Sequence, residues 1–214
     1  MKSKFDLLVF DLDGTLTDSS HTIHKTALKT FEKFGMNVIL PKAELDEKIG
    51  EHFKDILDDL KIRVDDIENF IEVYKSIYFD FIDDTILYPD VISTLEKIKT
   101  NGNRISLLTT KAQDQAEDIL EHFHLTKYFD LIMGRRKGFE HKPSPQPLLF
   151  IMNELKSEKE KTLMIGDSEL DIRCGASAGS KTCGVTYGYR SEEKLQNEKP
   201  DYLINSIEKI IQIL

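Results

Sequence analysis

The apolar positions fall into two rhythms along the chain. Residues 5–15 read FDLLVFDLDGT, and Phe5 to Asp11 is apolar on both faces, the pattern of a central parallel strand. After Ser19 and Ser20 the spacing changes to threes and fours. Ile23, Ala27, Phe31 and Phe34 lie on one helical stripe, which Gly35 stops. Beyond Pro41 the chain stays helical in character, with Leu45 and Ile49 in one segment and Phe53, Ile56, Leu57 and Leu60 in the next. Asp65 and Asp66 cap a longer helix carrying Ile67, Phe70, Ile71, Tyr74, Tyr78, Phe81 and Ile82. No strand is predicted between about residues 17 and 86.

From Tyr88 and Pro89 the pattern alternates. A helix with Val91, Ile92, Leu95 and Ile98 ends at Asn101-Gly102, and the strand RISLLTT follows. Then come a helix (Ala116, Ile119, Leu120, Phe123), the strand FDLIMG, a helix opened by Pro147, the strand TLMIGD, a helix from Asp171, the strand TCGVTY, and a last strand–helix pair from Asp201. Such alternation predicts a parallel sheet with helices on both faces. The first strand cannot stand alone, so it belongs to that sheet and the helical stretch is an insert. The predicted fold class is α/β: a doubly wound, Rossmann-like core of residues 1–16 and 87–214, with a helical cap over residues 17–86.

Composition narrows the field. The chain has 214 residues with 40% hydrophobic, enough for a real core, and a net charge of −9. So acidic a chain is not expected to bind nucleic acid, which needs clustered Lys and Arg. Cys174 and Cys183 suggest neither a disulfide framework nor a zinc site. The first residues carry no signal-peptide pattern and no run is long enough to span a bilayer. The expectation is a cytoplasmic chain, monomeric or homodimeric, with no membrane partner.

In doubly wound sheets ligands bind beyond the carboxyl ends of the strands. Strand one ends at Asp11-Leu12-Asp13, RISLLTT ends at Thr109-Thr110, and TLMIGD ends at Asp167. Between the last two, HKPSPQP sets Lys142 before three alternating prolines, a stiff approach to the helix at Pro147.

DLDGT, the hydroxyl after an apolar strand, the KP lysine and GDSELD occur in the order of the four motifs of the haloacid dehalogenase-like hydrolase superfamily. The cap position, together with KPSPQPL, GDSELDIRCGASAG and GVTYGY, resembles its phosphoglycolate phosphatase-like branch. The resemblance spans nearly the whole chain. It implies a Mg²⁺-dependent hydrolase of small phosphorylated metabolites.

On that resemblance Asp11 is the nucleophile that forms an aspartyl-phosphate, and Asp13 protonates the leaving group and then activates water. Mg²⁺ is held by Asp11 and Asp167, with the family adding the backbone carbonyl of Asp13. Gly14 lets the chain turn and frees backbone N–H groups for phosphoryl oxygens. Thr109, Thr110 and Lys142 face the phosphate, although Thr110 stands where this branch often has Asn. Asp171, one helical turn after Asp167, orients Lys142 or a metal-bound water.

Each residue also has a plainer reading: a turn for Asp13-Gly14, a satisfied strand end for Thr109, a surface lysine for Lys142, helix caps for Asp167 and Asp171. Four motifs in order on strand ends favour the functional reading. Arg135, Arg136 and Lys137 read better as a solvated basic loop than as a substrate contact, and His21 and His24 as helix-surface residues. KIGEHFKDIL resembles the cap loop that faces the core site, so Gly50, Phe53 and Lys54 are candidates for substrate choice, against a plain helix corner.

The leading expectation is a phosphatase acting on a small monoester such as phosphoglycolate. Rivals are inorganic pyrophosphate or a nucleoside monophosphate as substrate, and sugar-phosphate mutase chemistry. Dehalogenation fits less well, since those relatives lack the second aspartate. A receiver-like phospho-acceptor module is the non-enzymatic rival, but it has no such cap.

Overall fold

The computed structural model describes residues 3–214. Six parallel strands form the main sheet in the order β5-β4-β1-β6-β7-β8. They are β1 (Leu7–Phe10), β4 (Arg104–Ala112), β5 (Leu131–Arg135), β6 (Thr162–Gly166), β7 (Lys181–Val185) and β8 (Tyr202–Ile204). The β1 run LLVF is wholly buried, as a strand with a neighbour on either side requires. In register, Leu8 lies between Ile105 and Leu163, and Phe10 between Leu107 and Ile165.

Alternation along the strands feeds two cores. Leu8, Phe10, Ile105, Leu107, Leu163 and Ile165 pack on one face with α5 (Val91–Thr100) and α6 (Gln113–His122). Leu7, Val9, Leu108 and Met164 pack on the other with α7 (Gln146–Glu154) and α8 (Glu169–Ala178). A shorter helix, α9 (Glu192–Asn197), follows β7.

Between β1 and β4 the chain builds α1 (Ser20–Lys33), α2 (Lys42–Asp46), α3 (Phe53–Asp59) and α4 (Ile67–Tyr78). Asp66 caps α4 by accepting from Asn69 N at 3.0 Å. The rings of Phe31 of α1 and Phe70 of α4 pack with centroids 5.0 Å apart, so the amphipathic stripes of these helices close on each other. Lys75–Asp114 (2.7 Å) and Lys194–Glu47 (2.9 Å) join this helical stretch to the sheet layer.

Three expectations need adjustment. At both ends of the helical stretch a two-residue strand appears, β2 (Thr17–Asp18) antiparallel to β3 (Ile86–Leu87). So short a pair has no periodicity of its own and exists through its distant partner. The helix from Ile67 turns 3-10 at Phe79–Asp84, and the final helical piece, Ile207–Gln212, is 3-10 rather than α. Cys174 and Cys183 are free and buried, and burial pushes each thiol up to about 12. Among the described residues no helix is long and apolar enough to cross a membrane.

Candidate active site

The carboxyl ends of β1, β4, β6 and β7, four neighbours in the sheet, converge on one place. Asp11 follows β1 and keeps the strand's direction through Asp11 N to Ile165 O, 2.9 Å. The chain then turns sharply. The amides of Thr15, Leu16 and Thr17 all point to Leu12 O, and Gly14 N returns to Thr17 O at 2.8 Å. Gly14 sits at φ +83°, and a Cβ there would lie 2.2 Å from Asp167 Oδ2. On the far side, a Cβ on Gly188 would lie 2.3 Å from Asp167 Cβ and 2.4 Å from Gly14 O. The loop after β7 therefore presses directly onto the metal-candidate carboxylate, and Tyr189 N donates to Asp167 Oδ2 at 2.7 Å.

Lys142 is 2% exposed and donates to Asp11 Oδ1 and to Asp171 Oδ1, each at 2.6 Å. Asp171 is at the third position of α8. Its Oδ2 accepts from Ser168 N at 3.1 Å and Ser168 Oγ at 2.6 Å, closing a capping box. Both Asp171 oxygens are thus engaged within the protein. Asp11 Oδ2 and Asp167 Oδ1 meet no protein donor among the described residues. Ligand atoms of Asp11, Asp167 and Asp171 all lie within 4.8 Å of one another.

Charge makes this cluster hungry for a cation. Burial, against the pull of Lys142 and with the push of Asp171, drives Asp11 up to about 7. Burial, then the Asp11 and Asp171 charges, raises Asp167 well above the carboxylate range. Burial pulls Lys142 down, yet Asp11 and Asp171 outweigh it and hold the ammonium above the usual lysine range. Two of the three carboxylates share one ammonium, the third has none, and the donors are all hard oxygens. A divalent cation with a preference for oxygen fits that set.

Asp13, 6% exposed, belongs to a different neighbourhood. Its Oδ1 accepts from Ser19 Oγ, and its Oδ2 lies 3.0 Å from Lys111 Nζ. It faces a cavity of about 90 Å³, roofed by α1, α3, α4 and the loop between α2 and α3. Thr109 is buried at the end of the apolar run, and its Oγ1 accepts from Lys111 N at 3.3 Å. Thr110, Gly50 and Phe53 line the cavity. Gly50, at φ +96°, turns the cap loop so that a Cβ would be 4.0 Å from Ser168 Oγ.

Lys54 is corrected. Its side chain is 59% exposed, pairs with Asp58, and borders a separate surface groove with Leu57 and Lys61. Phe53 and Lys54 are adjacent on a helix, so their side chains point about 100° apart, and Phe53 is the one that lines the cavity. The basic loop divides likewise. Arg135 lines the cavity, while Arg136 packs 5.2 Å from the Phe139 and Phe150 rings.

The sequence reading gives no role to Lys111 or Arg190, and it names His52 only as one of several loop residues that could reach in. Lys111 follows Thr110 at the same strand end and reaches back to Asp13. Arg190, just past GVTYGY, is buried and binds the α2–α3 loop. His52 in that loop stacks at 4.9 Å on His141, the neighbour of Lys142. The carboxyl-end rule, applied to β7 as to the other strands, points to Arg190.

Comparison with known proteins agrees with this architecture. The family model of the haloacid dehalogenase-like hydrolases matches residues 8–185. A phosphoglycolate phosphatase of Aquifex aeolicus is 32% identical over 97% of this chain and 96% of its own. A pyrophosphatase PpaX of Bacillus mycoides is 30% identical over 99% and 97%. The crystal structure of a haloacid dehalogenase-like hydrolase from Bacteroides fragilis superposes with a TM-score of 0.87, at 31% identity over 97% of this chain and all of that one.

Proposed function

This chain belongs to the haloacid dehalogenase-like hydrolase family and is a phosphatase, and from that premise we propose that it hydrolyses a small phosphate monoester of the phosphoglycolate type, with Mg²⁺, through an aspartyl-phosphate. The observation that carries this reading is the contrast between two aspartates two residues apart. Asp11 is fixed by Lys142 among the cation-seeking carboxylates. Asp13 stands outside that cluster and faces the cavity.

Asp11 and Asp167, with the backbone carbonyl of Asp13, would hold Mg²⁺. When bound, the ion offsets the charge that keeps a phosphate dianion away from Asp11. Lys142 holds Asp11 by Oδ1 and so leaves Oδ2 as the attacking atom. Asp11 Oδ2 forms a bond to phosphorus as the bond to the leaving oxygen breaks. Asp13 gives its proton to that oxygen, and an alcohol departs. Asp13, now a carboxylate, takes a proton from water, whose oxygen attacks phosphorus. Phosphate leaves, and both aspartates return to their starting state. Thr109, Thr110 and Lys142 donate to the phosphoryl oxygens, and Asp171 keeps Lys142 in place.

Residues 17–86 act as a cap that closes over the site, excludes water and reads the leaving group through Gly50 and Phe53. Inorganic pyrophosphate is the second reading, supported by a cation, Lys111, in the cavity wall. The enzyme works on a metabolite in the cytoplasm, as a monomer or homodimer, without nucleic acid or membrane. The net charge of −9 supports the exclusion of nucleic acid.

Phosphate release should be followed over a panel of small esters and pyrophosphate, with Mg²⁺ and with chelator. Turnover that vanishes with chelator and in Asp11→Asn is expected. Near-normal turnover by Asp11→Asn, in a folded variant, would sink the covalent mechanism.

A further inference from the structure

The cavity beyond Asp13 is mostly apolar, with Ile23, Ile49 and Phe53 in its walls. Among its polar residues are Lys111 and Gln115. The side chain of Lys111 is 9% exposed, and an ammonium so far from water needs an anion beside it. It has Asp13 at 3.0 Å, and Tyr78 offers only a ring face at 4.7 Å. Gln115 is 6% exposed, and its Nε2 has no hydrogen-bond partner among the described residues. A buried donor left unpaired in this way is a cost that an incoming oxygen would remove.

We propose that Lys111 and Gln115 form a subsite for an anionic end on the leaving group. The proposal rests on the phosphate-ester reading above. In that reading Asp13 carries the proton until the leaving oxygen takes it, and until then Lys111 needs another negative partner. A leaving group with its own charge supplies one: a carboxylate a carbon or two from the leaving oxygen, or the second phosphate of pyrophosphate. Lys111 touches Asp13 and so stands nearest the bond that breaks. Lys75, which also lines the cavity, is tied to Asp114 at 2.7 Å. Arg135 is shared with an open groove on the other side of the cap loop. The phosphoryl group itself is left to Lys142, so two lysines divide the two ends of the substrate.

The test compares three substrates: phosphoglycolate, pyrophosphate and 2-hydroxyethyl phosphate, in which a neutral alcohol replaces the glycolate carboxyl. For wild type, Lys111→Met, Lys111→Arg and Gln115→Leu, kcat/KM for each anionic substrate is divided by that for 2-hydroxyethyl phosphate in the same preparation. The ratio is independent of the folded fraction, so a destabilised variant remains informative. Lys111→Met should lower the phosphoglycolate ratio roughly tenfold or more, Lys111→Arg should recover most of it, and Gln115→Leu should lower it about threefold. A parallel fall for pyrophosphate assigns the subsite to anions in general, and a fall for phosphoglycolate alone assigns it to carboxylates. Wild-type turnover with unchanged ratios in Lys111→Met removes the subsite while leaving the phosphatase mechanism intact. Wild-type release of phosphate from none of the three removes the ester reading, and the subsite with it.

Discussion

Arg190 Nη2 donates to the backbone carbonyl of Ile49 at 3.2 Å, across 141 residues of chain. The same guanidinium reaches Asp46 O at 3.3 Å through Nη1 and Glu169 Oε2 at 3.1 Å through Nε. One planar side chain, 1% exposed, thus joins the loop after β7, the start of α8 and the cap loop that carries Gly50. A guanidinium suits this place because its donors are fixed in a fork and its charge meets carbonyls left over at the end of α2.

Arg190→Met should therefore loosen the cap loop and leave the aspartates in place. The expected stability loss is about 2 kcal/mol for hydrogen bonds to a buried charge, which lowers Tm by roughly 4–8 °C in a chain of this size. KM should rise several-fold with a smaller change in Mg²⁺ affinity. An unchanged KM in a folded variant would mean that Arg190 does not position the loop.

Asp13→Asn separates acid chemistry from nucleophilic chemistry. An amide of similar size cannot give the leaving oxygen its proton. Alkyl phosphates should slow by about 10²–10⁴-fold, and 4-nitrophenyl phosphate, whose leaving group departs as an anion, by much less. Equal losses for the two classes would count against Asp13 as the acid.

The pKa shifts make stability fall with rising pH when the cation is withheld. Asp11 holds its proton to about 7 in the folded chain, against an ordinary value of 3.8, and Asp167 moves the same way. Between those limits the unfolded chain binds fewer protons than the folded one, so stability present below pH 4 is lost as pH climbs through 7. Thermal scans in chelator from pH 5 to 7.5 should show Tm declining, with Mg²⁺ restoring it most at the upper end. Asp11→Asn should flatten the decline. A Tm that rises across that window in chelator would overturn this account.

Phe53 and Lys54 give opposite expectations although they are neighbours. Phe53 lines the cavity and packs its ring at a tilt 4.9 Å from Tyr74, so Phe53→Ala should reorder kcat/KM across a panel of esters. Lys54 faces solvent, so Lys54→Ala should preserve the wild-type order. A reordering by Lys54→Ala would require a cap position other than this one.

The sheet and the motif residues were legible because their signals are local. LLVF announces a central strand in four residues, and DLDGT and GDSELD place carboxylates at strand ends. The cap helices were legible from their stripes. What escaped were relationships between distant segments. Nothing near Thr17 or Leu87 announces that they pair. A lysine after two threonines gives no sign that its ammonium turns back to Asp13, and an arginine after a tyrosine gives none that it will be buried under a loop 141 residues away. Lys54 reads as a candidate beside Phe53 in the sequence and faces solvent in the structure, because the roll of α3 against α4 decides which of its side chains turn inward.

The ends of β1, β4 and β6, with Lys142 from the loop between β5 and α7, carry the groups proposed for the phosphoryl chemistry, and the stretch from Ser20 to Asp84 supplies most of the cavity's apolar wall. Heredity can act on these two halves separately. On the proposed reading, a substitution in that stretch would change what is admitted, whereas one at Asp11 or Asp13 would change whether anything happens to it. Copies of such a chain can drift in appetite through many generations without passing through an inert ancestor. Chains with nearly the same strand ends can for that reason come to live on different metabolites.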